Sequence, residues 1–560
     1  MNQALLPLAC ALLPLLFYQP AESPRPYAKR AVVCVSRPAS EVGIQILGKG
    51  GNAVDAAIAT AFALAVTHPQ AGNIAGGGFM VVVPPGPGPD FPDAKVIDFR
   101  ETAPAKAAEK MFQPGESVRT TKAVGVPGSV AGMELAHKKW GKLPWAQLVD
   151  PAWNMAKNGF PIEKSLAISL NNVLPETAKS HGEFHRVFSK PGGGVWKASD
   201  ELKLPELAMA LEAIRDKGAA GFYKGPVADL LVEEMKRTGG LITHEDLANY
   251  KAEIRSPIRI KFRGYDIFAA PPPSSGGVCL ALILGMLETR PARQGNRMGP
   301  ENIHFLAEVM KRAYRERARW LGDPAFSTMP QELLNPAFAA KLAAGIQMEK
   351  ATPSERLAGD IQLASEGDST THISVLDGDG FAVSMTTTLE EIYGSRVVVP
   401  GGGFILNNEM GDFNWVPGQT NRSGRIGTPP NLIAPGKRML SSQCPVVVVK
   451  DGKIRVVTGS PGGRTIPNTV AQVLWNLLEW NLPPRMAVDS PRIHHQWLPD
   501  QIRMEGATST ARIGLTKALI ARGHKVISSP QGDAHTIWVD SKGQIWAICD
   551  KRIEGAAAGE

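Results

Sequence analysis

Only five cysteines occur among 560 residues: Cys10 in an apolar N-terminal stretch, and Cys34, Cys279, Cys444 and Cys549 scattered through the rest. They are too few and too dispersed for a disulfide framework or a thiolate metal cluster, so each reads as a small buried apolar residue. A basic run interleaved with aromatics is also missing. The net charge of +8 comes from Lys and Arg spread among Asp and Glu, which argues against a nucleic-acid surface and leaves a mild attraction to anionic surfaces or acidic substrates. After the first twenty residues there is no long apolar run, hence no transmembrane body. Low-complexity segments and internal repeats are absent as well.

What is present is an ordinary globular balance, 43% hydrophobic and 20% charged, with 57 Gly and 45 Pro that point to many tight turns. A chain of this length can bury a large core. The start, Leu5-Leu6-Pro7-Leu8-Ala9-Cys10-Ala11-Leu12-Leu13-Pro14-Leu15-Leu16-Phe17, is apolar but short for a bilayer span, and reads as a signal-peptide core. It lacks a preceding basic residue and a clean small-x-small site. Residues 1–22 are therefore expected to be a signal cleaved near Ala21 or Ser23, or a retained anchor, and the protein to be exported.

The periodicity predicts a helix from Ala39 that stops at Gly48-Lys49-Gly50-Gly51, then a helix over 54–67 apolar nearly all round and therefore buried. Candidate central strands follow at 79–83 and 95–99. The middle is rich in helix from 130 to 236, including 207–214 and 228–236, and helix resumes over 301–320. From 370 onward the pattern changes to paired strands, a helix over 467–478 and a closing hairpin of 535–539 with 544–548. Strands early and late with helices between them suit a sheet-on-sheet core flanked by helices, and the shift near 345–370 marks a boundary.

That boundary holds Asp368-Ser369-Thr370-Thr371-His372, followed by Ile373-Ser374-Val375-Leu376, the turn Asp377-Gly378-Asp379-Gly380 and a return strand over 381–388. A turn centred near Asp379 sets Thr370 opposite Thr387 or Thr388, with Cβ atoms roughly 4.5–5.5 Å apart. Thr is a weak nucleophile unless a base stands beside it. Cleavage before Thr370 would free an α-amine of pKa about 7.7–8.0, a base built into the same residue.

Other motifs carry less. Gly43-Ile44-Gln45-Ile46-Leu47-Gly48-Lys49-Gly50 imitates a phosphate loop but lacks the final Ser or Thr and sits in a helix. His494-His495 lacks a ligand partner at metal spacing and reads as structural. Gly459-Ser460-Pro461-Gly462-Gly463-Arg464, between a strand and a helix, can aim backbone N–H groups at one anion. Ser441-Ser442 precedes a strand over 445–449. Arg100, at a strand end, offers a fork for a carboxylate. Asn407-Asn408-Glu409-Met410-Gly411-Asp412, after an expected strand over 404–406, forms a cradle for an ammonium.

Taken together, these segments resemble the γ-glutamyltransferase (glutathione hydrolase) family of N-terminal nucleophile hydrolases. The likeness rests on Gly50-Gly51-Asn52-Ala53-Val54-Asp55-Ala56-Ala57, Thr67-His68-Pro69-Gln70-Ala71-Gly72-Asn73, Gly76-Gly77-Gly78-Phe79-Met80, Asp98-Phe99-Arg100-Glu101-Thr102-Ala103-Pro104, Thr370-Thr371-His372, Leu406-Asn407-Asn408-Glu409-Met410, Leu440-Ser441-Ser442 and Gly459-Ser460-Pro461-Gly462-Gly463. It implies a four-layer αββα sandwich and scission between Ser369 and Thr370, into a large subunit (23–369) and a small one (370–560) that stay packed together.

The resemblance further implies Thr370 as nucleophile and Thr388 as its hydroxyl partner, with Gly462 and Gly463 as oxyanion donors. Arg100, Ser441 and Ser442 would hold the substrate α-carboxylate, and Glu409 and Asp412 its α-ammonium. Glu390 stands where many members have Asn, and Gly411 where the first of two Asp is usual. Residues 417–435 are long enough for a lid, without the aromatic that lid-bearing relatives often place there. No metal or cofactor is implied. The partners are a γ-glutamyl compound and an amino-acid or peptide acceptor. A glutaryl-type (cephalosporin) acylase of the same family, or an exported binding protein that never matures, are the alternatives.

Overall fold

The computed structural model describes residues 26–86, 91, 93–359 and 370–560. The expected signal segment and Ser369 lie outside them. Two antiparallel sheets pack face to face. One runs in the order Ala556–Gly559, Ala31–Cys34, Thr371–Leu376, Ala382–Thr388, Gly77–Val83, Lys95–Asp98, Glu253–Arg255; the other runs Ile545–Ile548, His535–Val539, Lys453–Gly459, Val446–Lys450, Tyr265–Ala269, Ile258–Phe262. Apolar side chains such as Val33, Phe79, Val81, Val447, Val457 and Ile537 fill the space between them. Helices cover both outer faces, which gives the expected αββα order.

Segments before and after residue 370 contribute strands to both sheets. The boundary near 345–370 therefore does not separate two bodies.

The first outer layer is led by the helix Ala53–Thr67, in which every residue is buried. Its start is fixed by a reciprocal cap: Asn52 Oδ1 accepts from the N–H of Val54 and Asp55, and Asp55 Oδ2 accepts from Asn52 N–H. Ala53 N–H also donates to Asp377 Oδ2 at 3.0 Å, while Asp377 Oδ1 accepts from Asp379 and Phe381. One carboxylate thus closes the hairpin turn and docks it on the helix.

On the other side, the helices Gly276–Glu288, Pro300–Trp320 and Ile466–Leu474 share a core with the second sheet. The expected helix over 467–478 continues beyond Leu474 as a π-helical turn, Trp475–Glu479. The expected strand at 404–406 is not one. Ile405 makes only an isolated bridge to Val398, because this stretch runs between turns rather than along a sheet edge. All four described cysteines are buried and unpaired. His494 and His495 reach different partners, Asn468 and Asp500, as structural residues do.

Candidate active site

The strand Thr371–Leu376 pairs with Ala382–Thr388 so that Thr371 faces Thr387. One residue further along the same register Thr388 faces Thr370, which resolves the choice between Thr387 and Thr388. Close packing holds this end of the sandwich. A Cβ on Gly76 would lie 2.0 Å from Thr388 O, and one on Gly459 would lie 2.3 Å from the His372 ring, so neither position admits a side chain. Buried His372 bonds Thr386 Oγ1 through Nδ1 (2.9 Å) and Ser374 Oγ through Nε2 (3.1 Å). Burial, then the neighbouring His535, hold its pKa well below the usual value, so it stays a neutral strut.

Asn73, within one of the quoted motifs, secures the threonine strand. Its Nδ2 donates to Thr387 Oγ1 (3.1 Å) and Thr388 O (2.9 Å), and its Oδ1 accepts from Gly76 N–H and Ser129 Oγ. Asn407 and Asn408 act similarly on the acidic turn. Asn407 Oδ1 accepts from Glu409 N–H and its Nδ2 donates to Ala75 O and Gly125 O, while Asn408 Oδ1 accepts from Glu391 N–H.

Arg100, Thr370, Thr388, Glu390, Glu409, Asp412, Ser441, Ser442 and Gly463 line one small cavity of about 20 Å³. Of the catalytic, substrate-binding and processing residues that the resemblance implied, Gly462 is not on its wall and Ser369 lies outside the described residues. The cavity is narrow because its charges close on one another. Arg100, 1% exposed, holds Glu409 Oε2 at 2.5 Å through Nη1, Asp412 through Nη2 and Met439 O through Nε. Burial by itself would lower the Arg100 pKa; the surrounding Glu409, Asp412 and Glu101 hold it above the usual value.

Glu101 was not singled out in the sequence, yet it sits 3.5 Å from the same guanidinium, fully buried, with Oε1 meeting no donor among the described residues. Burial, opposed by Arg100, pushes its carboxyl up to about 8. Burial likewise raises Glu409 well above the carboxylate range against the pull of Arg100. One cation cannot neutralise three acids in so dry a place, so protons do part of the work.

Ser441 and Ser442 are held from behind by the cis-peptide loop near Pro273. Ser441 N–H donates to Pro273 O, and its carbonyl accepts from Ser275 N–H and Oγ. Arg317 donates to Ser275 Oγ and to Ser442 Oγ at 3.1 Å. Gly462 (φ +122°) and Gly463 (φ +50°) take left-handed conformations ahead of the helix Ile466–Leu474, and their N–H groups meet no acceptor among the described residues. The turn is thus open to an anion.

Gln443, Arg464 and Ile466 complete the wall, and the sequence had assigned none of them a role there. Arg464 Nη1 donates to Gly424 O at 3.1 Å, which ties the wall to residues 417–435. That segment lies folded down: Thr428 Oγ1 donates to Ala318 O, and Asn431 Nδ2 donates to Asp412 O. Its flanking Trp415, two residues before the expected lid, stacks on Phe112 at 4.1 Å and is fixed by a bond to Met410 O. Among the described residues no group of His, Cys, Asp and Glu is arranged to hold a metal, and no helix is long and apolar enough to cross a membrane.

Comparison with known proteins points the same way as the geometry. The family model for gamma-glutamyltranspeptidase matches residues 39–560. The glutathione hydrolase proenzyme of Escherichia coli is 41% identical over 95% of this chain and 92% of its own, and that of Pseudomonas aeruginosa is 42% identical over 91% of each. Among solved structures, a cephalosporin acylase from Bacillus halodurans superposes with a TM-score of 0.85 at 25% identity over 98% of this chain and 99% of its own. A Helicobacter pylori gamma-glutamyltranspeptidase chain is 40% identical over 59% of this chain and 96% of its own, with a TM-score of 0.55. With a threonine pair at the mouth of an acid-and-arginine pocket and a family match across nearly its whole length, the chain belongs to the gamma-glutamyltranspeptidase family of N-terminal nucleophile hydrolases.

Proposed function

We propose that the protein is a self-processing γ-glutamyl hydrolase and transferase that cleaves glutathione and related γ-glutamyl amides through an ester on Thr370. The observation that carries this reading is the shared cavity of Thr370, Thr388, Arg100, Glu409 and Asp412. It presents a hydroxyl nucleophile beside one fixed cation and several acids, a complement to a zwitterionic α-amino acid head.

Maturation begins with attack of Thr370 Oγ1 on the carbonyl of Ser369. The peptide bond becomes an ester, and hydrolysis frees the Thr370 α-amine and the Ser369 carboxylate, dividing the chain into subunits 23–369 and 370–560. In turnover, Thr370 Oγ1 gives its proton to that amine and attacks the γ-carbonyl carbon of the substrate. The oxyanion is held by the N–H groups of Gly462 and Gly463, where losing one donor typically costs about 2.7–4 kcal/mol. The proton passes to the departing nitrogen, the C–N bond breaks and a γ-glutamyl ester remains. Water or an acceptor amine then attacks the ester, gives up a proton, and Thr370 Oγ1 takes one back.

Substrate recognition follows from the closed charge cluster. A γ-glutamyl head inserts into the Arg100–Asp412 pair: its α-carboxylate takes Arg100 with Ser441 and Ser442, and its α-ammonium takes Asp412, Glu409 and Glu390. Binding therefore exchanges one set of buried ion pairs for another. The same acids disfavour the glutaryl substrates of an acylase, which carry no ammonium. We further infer export, from the apolar N-terminal segment; N-terminal sequencing of the large fragment after expression with fractionation tests it.

Acid quenching during turnover of glutathione, followed by peptide mass spectrometry, tests the main reading. A γ-glutamyl adduct on the peptide that begins at Thr370 is expected. Turnover with the adduct on another residue, or adduct formation from a glutaryl amide and not from glutathione, contradicts it.

A further inference from the structure

Gln443 stands on the wall of the catalytic cavity with the hydrogen-bonding capacity of its side chain unused. It is 2% exposed, and neither Oε1 nor Nε2 meets a partner among the described residues. Burying an unpaired primary amide destabilises a fold, so its presence on a cavity wall points to a ligand. The main chain of the same residue is fully engaged. Its N–H donates to Ser441 Oγ at 3.1 Å, and its carbonyl accepts from Ser274 Oγ. A Cβ on Gly276 would lie 2.2 Å from that carbonyl oxygen, so the start of the helix Gly276–Glu288 is pressed against it. The backbone is therefore fixed, and with it the direction of the side chain. Cys444 and Val446 turn into the core under the helices, whereas Val447 turns into the space between the sheets. By the alternation of an extended chain Gln443 turns the same way as Val447. Leu376 and Ala382 face that space too, and Thr370 and Thr388 share their parity on the two hairpin strands.

The two preceding residues show what this part of the wall offers. Ser441 Oγ already accepts from Gln443 N–H and Ser442 Oγ from Arg317, so each hydroxyl keeps its proton to donate. The acids Glu409 and Asp412 are held by Arg100, and residues 441–443 contribute none. An ionised carboxylate has about four lone-pair sites to fill. When Arg100 Nη1 stays on Glu409 and Nη2 exchanges Asp412 for a substrate, Arg100, Ser441 and Ser442 supply three donors. One site is left, and Gln443 Nε2 is a donor without a task. Being neutral, it adds no charge that would call for a further acid in a dry cavity.

We propose that Gln443 is a specificity-determining residue of this chain, its Nε2 donating to the α-carboxylate of the γ-glutamyl head beside Ser441 and Ser442. The proposal rests on the γ-glutamyl reading above. In the free enzyme the amide is unpaired, and it gains its partner only when a head group with a carboxylate enters. It therefore favours a free α-carboxylate over an α-amide at the binding step, not at the chemical step.

The test compares matured wild type, Gln443→Met and Gln443→Glu on a γ-glutamyl anilide and on the same anilide with its α-carboxyl group converted to an amide. Loss of one charge-assisted hydrogen bond from the bound state predicts that Gln443→Met raises KM for the acid about ten-fold and leaves kcat within about two-fold. Its acid-to-amide preference in kcat/KM should fall by about five-fold. Without substrate, Gln443→Met should unfold at or above the wild-type Tm, because an unpaired buried amide has gone. Gln443→Glu sets a carboxylate against that of the substrate. It should raise KM further at about pH 8 and recover part of the loss at about pH 5.5, as the added carboxyl takes up a proton. A Gln443→Met enzyme with unchanged KM and an unchanged acid-to-amide ratio overturns the proposal. So does one whose Tm drops by several degrees while both substrates lose activity by one common factor, because Gln443 would then support the wall and not bind substrate. A wild type that releases no glutamate from the acid anilide would instead sink the γ-glutamyl reading itself, before any variant is made.

Discussion

Along the threonine hairpin, Thr371–Leu376 and Ala382–Thr388, every residue is buried and each strand pairs in unbroken register. Residues 390–443 form the other half of the site and contain no strand or α-helix, only turns, bridges and the short 3-10 segments Glu409–Asp412 and Pro429–Asn431. In the proposed mechanism the nucleophile is thus positioned by a periodic scaffold and the substrate head by irregular loops. A sheet interior fixes an oxygen atom to within the slack of its packing, whereas loops can place several charges that converge from different directions. Changes in the hairpin should abolish maturation, and changes in the loops should tune binding.

Arg100 anchors the acids of the loop region and is where the largest effect is expected. Arg100→Ala leaves Glu101, Glu409 and Asp412 facing one another without their cation, and should destabilise the protein by about 3–5 kcal/mol in urea unfolding. A loss below ~1 kcal/mol would mean that the acids are already neutralised by other means. Next comes the scaffold. Gly459→Ala drives a methyl group into the His372 ring and should cost about 3 kcal/mol; gel analysis of the fresh protein should also show slowed self-cleavage. Normal maturation of that variant would show that the hairpin is less rigid than its packing implies.

A third effect depends on pH. Glu101 has a folded-state pKa of about 8, above its ordinary value, so between about pH 4.5 and 8 the folded protein keeps a proton that the unfolded chain has released. Stability therefore falls as pH rises through that window. Glu101→Gln should flatten the fall, giving a gain on the order of 2 kcal/mol at pH 8 and none at pH 4. Urea midpoints at the two pH values measure it, and a gain at pH 4 instead would reverse the sign of the account.

The smallest effect belongs to the loops. Glu390 has φ of +80°, a conformation that Asn tolerates better than Glu. Glu390→Asn should stabilise the protein by about 0.5–1 kcal/mol while shifting KM for γ-glutamyl substrates only a few-fold.

The same division explains what could be read from the sequence. Alternation, turn residues and the apolar helix over 54–67 gave the hairpin, the sheets and the buried layer, because periodic structure leaves a periodic trace. Register alone left Thr387 and Thr388 open; the observed pairing of Thr371 with Thr387 resolves them. Glu101, Arg317 and Arg464 were not legible, since each acts on a residue far off in sequence: Arg317 on Ser442, 125 residues on, Arg464 on Gly424, 40 residues back, and Glu101 on the acid of Glu409. Glu101 had one available signal, its place next to Arg100 at a strand end, where a second charge on a buried strand is unusual. The expected strand at 404–406 failed because three apolar residues fit a buried turn as well as a strand.

The central claim is that Thr370 makes its own amino terminus. Intact mass and N-terminal sequencing of freshly purified wild type and Thr370→Ala test it most directly. The account predicts two wild-type fragments, one beginning Thr370-Thr371-His372, and a single uncut chain for the variant. A wild type that remains whole while releasing glutamate from glutathione, or a Thr370→Ala chain cut at the same bond, would contradict it.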